Sequence, residues 1–329
     1  MATERPNRPS GVAEDSKSIG LVFERAQTSS VHCMTNPEQD PTASRRAVLA
    51  KSALAGAVAI GAAAGTAVPA SAHSDRYARG MAALRRIGGE RATDVIESLR
   101  DVAPDLSRYV VEFAFGDIYV RPGLTARQRQ LVTIGALAAQ GDTAPQLNFH
   151  IDAALRVGIS PVQIMEALYQ LVPFVGFART LNAVGVAREV FTQRGITFQP
   201  PVQTDRRDRY ERGKEKLVEV DGQHGLDVIE SLRDIAPDLG RYIVEFAFGD
   251  VYYRPWLSMP QRQLVTIGAL TAFGDTAPQL RVHLGAALNV GLSRAQVIEA
   301  LIHIVSYAGF PRVLNAVAVA RQVFEERPS

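Results

Sequence analysis

The chain has 329 residues, 47% hydrophobic and 21% charged, with a formal net charge of +2. This is ample apolar material for one or two buried cores. The charge balance argues against a nucleic-acid partner: no Lys/Arg cluster with interleaved aromatics occurs, and Arg206-Arg207 reads as a solvated turn.

Residues 1–72 read as a leader. Ser44-Arg45-Arg46-Ala47-Val48-Leu49 precedes a soft Ala/Gly-rich run, and Ala70-Ser71-Ala72 supplies a small-x-small cleavage pattern. This is the pattern of a twin-arginine export signal removed before His73, and it predicts a periplasmic or extracellular protein. The start is either Met1 or Met34; starting at Met34 leaves a short polar n-region. The Ala/Gly run is short for a span, and no later stretch reads as long and apolar enough to cross a bilayer, so no stable membrane insertion is expected after processing. Cys33 is the single cysteine and precedes the cleavage site. The mature chain is therefore expected to lack disulfides, thiolate metal sites and thiol chemistry.

Residues 94–191 are followed by a second copy of the same text at 227–324, without a gap and at a constant offset of 133. About two-thirds of the aligned positions are identical, the mark of a tandem duplication. The domains expected are 73–194 and 210–329, joined by a Pro-, Gln- and Arg-rich linker at 195–209 and related by a pseudo-twofold axis.

Apolar residues recur at three and four throughout and no period-2 run appears, so the fold class is all-α, with about six helices per copy. A first helix is predicted over 77–100, and a second runs from Pro104 toward Tyr119. Capping boxes are predicted at Thr125-x-x-Gln128, Thr143-x-x-Gln146 and Ser160-x-x-Gln163. Their counterparts are Ser258-x-x-Gln261, Thr276-x-x-Gln279 and Ser293-x-x-Gln296. A last helix begins near Phe177 and closes the unit at Phe191.

The ordered series FGD-x-Y-x-RPGL, R-x-RQLVTIGALAA-x-GDTAPQL-x-x-H and GF-x-R-x-LNAV-x-x-AR resembles the carboxymuconolactone decarboxylase family, which shares its all-helical fold with the alkylhydroperoxidase D proteins. The resemblance covers each copy essentially end to end. The peroxidase branch of that fold resembles C-x-x-C-x-x-x-H. Its cysteine positions are Thr143 and Gln146 here, Thr276 and Gln279 in copy two, and its upstream Glu falls on Gln130 and Gln263. Without thiols, peroxidase activity is not expected. The decarboxylase branch has P-E-L-x-x-H where this chain has Pro145-Gln146-Leu147-x-x-His150 and Pro278-Gln279-Leu280-x-x-His283. Its later H-x-x-x-Y-A-G-x-P matches His303, Tyr307, Ala308, Gly309 and Pro311; copy one has Gln170 and Phe174 at the first two positions. Over this segment copy two is the better match.

The resemblance implies decarboxylation or isomerisation of a small carboxylated lactone or enolisable acid, with no cofactor and no metal. The catalytic candidates are His283, His150, His303 and Tyr307, since His can move a proton near neutral pH. The candidates for binding a substrate carboxylate are Arg254, Arg262, Arg121 and Arg129, through the guanidinium fork. Glu166 and Glu299 read as structural, and Asp117 and Asp250 as partners of a neighbouring Arg. The alternative reading is a non-catalytic ligand-binding or assembly module on the same fold. The family also resembles rings of six one-domain subunits, which implies a homotrimer forming a pseudo-hexamer.

Overall fold

The computed structural model describes residues 70–205 and 207–327, and every regular element within them is helical. Residues 1–69 of the leader, with Cys33, the twin arginines and both possible start methionines, lie outside the described residues, as does Arg206. Copy one runs α1 (Ala70–Gly88), a 3-10 turn (Gly89–Thr93), α2 (Asp94–Ser98), α3 (Pro104–Tyr109), a π-helical segment (Val110–Ile118), α4 (Ala126–Gln140), α5 (Ala144–Arg156) and α6 (Pro161–Gln193). Copy two runs α7 (Arg209–Asp221), α8 (Gln223–Glu230), α9 (Pro237–Tyr242), a second π-helical segment (Ile243–Tyr252), α10 (Met259–Phe273), α11 (Ala277–Asn289) and α12 (Arg294–Glu325). The expected cleavage point before His73 falls inside α1.

Local chemistry explains where these elements start and stop. Thr125, Ser160 and Ser293 close capping boxes: each side chain accepts from the backbone N–H three residues on, and the Gln there reaches back. The boxes expected at Thr143 and Thr276 do not form. Their hydroxyls instead donate to Leu137 O (2.7 Å) and Leu270 O (2.9 Å), closing the loop after the preceding helix. The helix expected over 77–100 is interrupted at Gly88-Gly89, where Gly89 adopts φ 63°, a left-handed conformation that suits glycine. α6 and α12 each bend at one glycine, Gly176 (φ 79°, ψ 170°) and Gly309 (φ 77°, ψ 168°), so a helical stretch does restart near Phe177.

α12 corrects a second expectation. It is long and apolar enough by length and composition to cross a bilayer, with a mean hydropathy of 1.4 over its most apolar window. Its Val297, Leu301, Ile304 and Val313 are buried in the common core, and 33% of that window is buried in all.

The two copies do not keep separate centres. α4 crosses α10 at Gly135 and Gly268, in backbone contact: a Cβ on Gly135 would lie 2.2 Å from Val265 O, and one on Gly268 2.3 Å from Val132 O. The four residues are two pairs at the repeat offset, so the contact is reciprocal, as a twofold relation between the copies requires. Leu131, Ile134, Leu264 and Ile267 around this crossing join one apolar cluster drawn from both copies. Burying each such side chain stabilises by about 1.5–3 kcal/mol. Smaller clusters sit under α1 and α7. The expected linker is a strap: Ile196 and Phe198 pack on the shared core, and Pro201 O accepts from Arg254 at 3.2 Å.

Candidate functional site

Four elements bring polar groups to one buried point. α1 lies tight against the first π-helical segment, a Cβ on Gly80 falling 2.1 Å from Val111 O. That segment delivers Tyr119, stacked on Phe115 at 4.8 Å. α4 presents Arg129, Gln130 and Thr133, and α5 presents His150. From copy two, α12 adds Glu299, His303 and Tyr307, four residues apart and so on one helix face.

The hydrogen bonds fix much of the proton order. Gln130 Oε1 accepts from His150 Nδ1 (3.0 Å), leaving Nε2 as an acceptor 3.3 Å from the Tyr307 hydroxyl. Tyr307 OH lies 2.5 Å from Tyr119 OH, and Tyr119 OH lies 3.5 Å from Thr133 Oγ1. Arg129 Nη1 can only donate, so His303 Nδ1 accepts from it (3.3 Å) and His303 Nε2 donates to Thr133 Oγ1 (2.9 Å). Thr133 commits its own proton to Arg129 O (2.9 Å). Two proton orders remain. Either Tyr119 donates to Tyr307 and Tyr307 to His150, or Tyr307 donates to Tyr119 and Tyr119 to Thr133. The Tyr307 hydroxyl is the node between them.

Burial sets the charge states. It pulls His150 down to about 3, and it lowers His303 well below the usual range, with the Arg129 and His150 charges acting in the same direction. Tyr119 and Tyr307 are both pushed up by burial. At neutral pH the cluster therefore holds neutral imidazoles and neutral phenols. This alters the role expected for the histidines: His150 is placed as a proton acceptor, and His303 as a fixed neutral link between Arg129 and Thr133.

The equivalent point in copy two is built the same way with two exchanges. Gln263 Oε1 accepts from His283 Nδ1 (3.2 Å), and burial lowers His283 to about 4. Gln170 of α6 stands where His303 stands, accepting from Arg262 Nη1 (3.1 Å) and donating to Thr266 Oγ1 (3.2 Å). Phe174 stands where Tyr307 stands, its ring edge-on to His283 at 4.9 Å. The grouping of His303 and Tyr307 with His283 is thus corrected: both reach across to His150, because α12 packs on α4 as well as on α10.

The four arginines are committed to internal partners. Glu299 takes Arg121 through a bidentate contact (Nε to Oε2 3.0 Å, Nη2 to Oε1 2.5 Å) and lies 3.7 Å from Arg129; Arg129 also donates to Arg121 O (2.7 Å). Glu166 takes Arg254 (2.8 Å) and Arg262 (2.8 Å), both inside the fold. Arg121 keeps 40% of its side chain exposed, against 14% for Arg254, which is sandwiched between Tyr169 and Trp256. Asp117 and Asp250 pair with arginines of α1 and α7, Asp117 with Arg76 and Arg79, Asp250 with Arg209 and Arg212. Gln146 and Gln279 are exposed. Tyr119 and Thr133 were not singled out from sequence; the available signal was the F-G-D-x-Y spacing and a Thr four residues after Arg129. Among the described residues no group of three or more His, Cys, Asp or Glu side chains is arranged to hold a metal ion.

The carboxymuconolactone decarboxylase family model matches residues 104–189 and again 237–322, together just over half of the chain. The chain belongs to the carboxymuconolactone decarboxylase family. Each matched segment spans one copy from α3 or α9 into its last helix, and together the two include every side chain of both clusters. The chain is 38% identical over 119 residues to a 4-carboxymuconolactone decarboxylase of Acinetobacter baylyi, covering 36% of this chain and 88% of that protein. It is 33% identical over 85 residues to the nitrosuccinic acid decarboxylase of Metarhizium robertsii, covering 26% of this chain and 58% of that one. A crystal structure of a candidate gamma-carboxymuconolactone decarboxylase subunit from Burkholderia xenovorans aligns with a TM-score of 0.48 at 24% identity, covering 76% of this chain and 98% of that one.

Proposed function

We propose that the chain is a cofactor-independent decarboxylase of a small carboxylated lactone or related enolisable acid, acting at the Tyr307–Tyr119–His150 network. The observation that carries this reading is the run of hydrogen bonds from Tyr119 OH through Tyr307 OH to a neutral imidazole acceptor, all three groups buried. Loss of carbon dioxide leaves an electron pair that a conjugated carbonyl accepts as an enolate. A neutral phenol donates a hydrogen bond to that developing oxyanion. Tyr307 then delivers a proton to carbon, and the phenolate left behind, shared with Tyr119 across their hydrogen bond, regains a proton from water as the product leaves. Two relatives are named for decarboxylating different acids, which supports carrying over the reaction type rather than one substrate.

Carbon dioxide release by the purified chain from 4-carboxymuconolactone and from nitrosuccinic acid tests this reading. Release from either acid supports it. Binding of both acids without release favours the second reading, a non-catalytic binding module. One observation favours that alternative: Arg121, Arg129, Arg254 and Arg262 are all held by Glu299 or Glu166.

The assembly proposed is a homotrimer with six equivalent faces. Phe177, Leu181, Phe310 and Leu314 are 60–66% exposed, and they form two pairs at the repeat offset. Matching apolar faces on both halves suit a closed ring. Light scattering should give three times the chain mass, and a concentration-independent monomer contradicts it. Export by the twin-arginine route is proposed from the leader. N-terminal sequencing of the protein from an exported fraction should begin at His73; recovery from the cytoplasm alone contradicts it.

A further inference from the structure

We infer that one chain carries one working site and that the Tyr307 hydroxyl decides which: the His150 pocket turns over, and the His283 pocket is an inert structural counterpart. The inference rests on the decarboxylase reading and adds to it a division of labour between the copies.

The two pockets differ in two exchanges of unequal weight. Gln170 reproduces both hydrogen bonds of His303, one from the arginine and one to the threonine, at 3.1 and 3.2 Å against 3.3 and 2.9 Å. An amide that cannot titrate does the same work, so this position needs a linker with one acceptor and one donor. The other exchange has no such equivalence. Phe174 places a ring edge against His283 where Tyr307 places a hydroxyl against His150. A phenyl ring neither donates to an oxyanion nor passes a proton. With no hydroxyl there, Tyr252 is turned to a local bond, accepting from Gln263 Nε2 at 3.2 Å, and no hydrogen-bonded path leads from it to His283 Nε2.

The surroundings of the two outer arginines differ as well. Trp256 of copy two and Tyr169 of copy one cover Arg254, and the strap adds Pro201 O. The positions matching Trp256 and Tyr169 are Gly123 of copy one and Ile302 of copy two, and Arg121 stays 40% exposed. Arg254 is thus covered by side chains from both copies where Arg121 is left open, and copy two contributes His303 and Tyr307 to the His150 cluster.

The test compares wild type, Tyr307→Phe, His283→Gln and Phe174→Tyr for carbon dioxide release from 4-carboxymuconolactone and nitrosuccinic acid, with thermal melting as a check on folding. Tyr307→Phe should lose about 100-fold or more, the usual contribution of a positioned proton donor. His283→Gln should stay within about twofold of wild type, because it keeps a polar partner for Gln263 outside the reacting pocket. Phe174→Tyr should leave the wild-type rate or raise it at most about twofold, the ceiling set by activating a second pocket. Equal losses from Tyr307→Phe and His283→Gln would overturn the division of labour while leaving the decarboxylase reading intact. No release by wild type overturns both. An activity-independent reading comes from imidazole 15N resonances: Tyr307→Phe should shift His150 Nε2 and leave His283 in place, and the converse contradicts the inference.

Discussion

Tyr307 and Tyr119 lie 188 positions apart in sequence and share a 2.5 Å hydrogen bond. The bond joins the last helix of copy two to the π-helical segment of copy one, so neither copy alone contains the polar cluster. The last helix of copy two thus completes the site of copy one, while copy one's own α6 carries Phe174 at the matching position.

The buried histidines make a prediction about acid. An unfolded His titrates near 6.5, whereas folded His150 and His283 are held near 3 and near 4. The folded state therefore binds fewer protons between these values. Its stability is intact above about 6.5 and is lost as pH falls toward 4. Denaturant unfolding should lose up to about 1.4 kcal/mol per pH unit for each such histidine below pH 6.5. The slope should shrink in His283→Gln. Turnover, for the same reason, should show no histidine-like limb between pH 6 and 7.

Asp221 has the opposite sign. It is buried at the end of α7, its Oδ1 has no hydrogen-bond partner, and burial pushes it up to about 7. Its counterpart in copy one is Gly88, against which the Phe149 ring packs; opposite Asp221 the smaller Val282 replaces that ring. A raised folded pKa means that the ionised form costs stability, increasingly from pH 4 and fully above pH 7. Asp221→Asn should therefore stabilise at pH 8, by roughly 1–3 kcal/mol, and be neutral near pH 4. Chemical denaturation at the two pH values checks it, and an equal effect at both would refute the buried-charge account.

The helix crossing should tolerate no side chain. Gly135→Ala or Gly268→Ala puts a Cβ onto a backbone carbonyl that cannot rotate away. Overpacking of this kind costs about 1–3 kcal/mol or more. Melting should fall for both variants and to a similar extent, since the contacts are reciprocal. A variant as stable as wild type would mean that the two helices are not in backbone contact.

The ion pairs should differ in weight. Glu166, Arg254 and Arg262 are nearly or wholly buried, so Glu166→Gln strands two guanidinium groups and should cost about 3–5 kcal/mol. Arg121 is 40% exposed, and Arg121→Ala should cost about 1 kcal/mol or less. Equilibrium unfolding of the two variants gives the comparison.

Much of the fold was legible because its signals are local. Helical periodicity, the Thr125, Ser160 and Ser293 boxes and the glycine breaks each act within a few residues. Thr143 and Thr276 misled because a hydroxyl there has two backbone targets, and the nearer carbonyl wins. The identities of the polar residues were also legible: His150, His303 and Tyr307 stand out in sequence and meet in space. Their grouping was not. Which copy's histidine receives Tyr307 depends on how α12 packs against α4, a contact between residues more than a hundred positions apart that no local pattern encodes. The four arginines were named as carboxylate binders because guanidinium suits that task. Glu299 and Glu166 already supply the carboxylates, and that competition is visible only once helices from different copies are side by side.

The most direct test of the central claim follows 4-carboxymuconolactone labelled with 13C in its departing carboxyl, incubated with the purified chain in D2O. The account predicts release of labelled carbon dioxide and one deuterium on a carbon of the product, both abolished in Tyr307→Phe. Recovery of the bound acid with its label intact would contradict it and leave a binding protein on a decarboxylase fold.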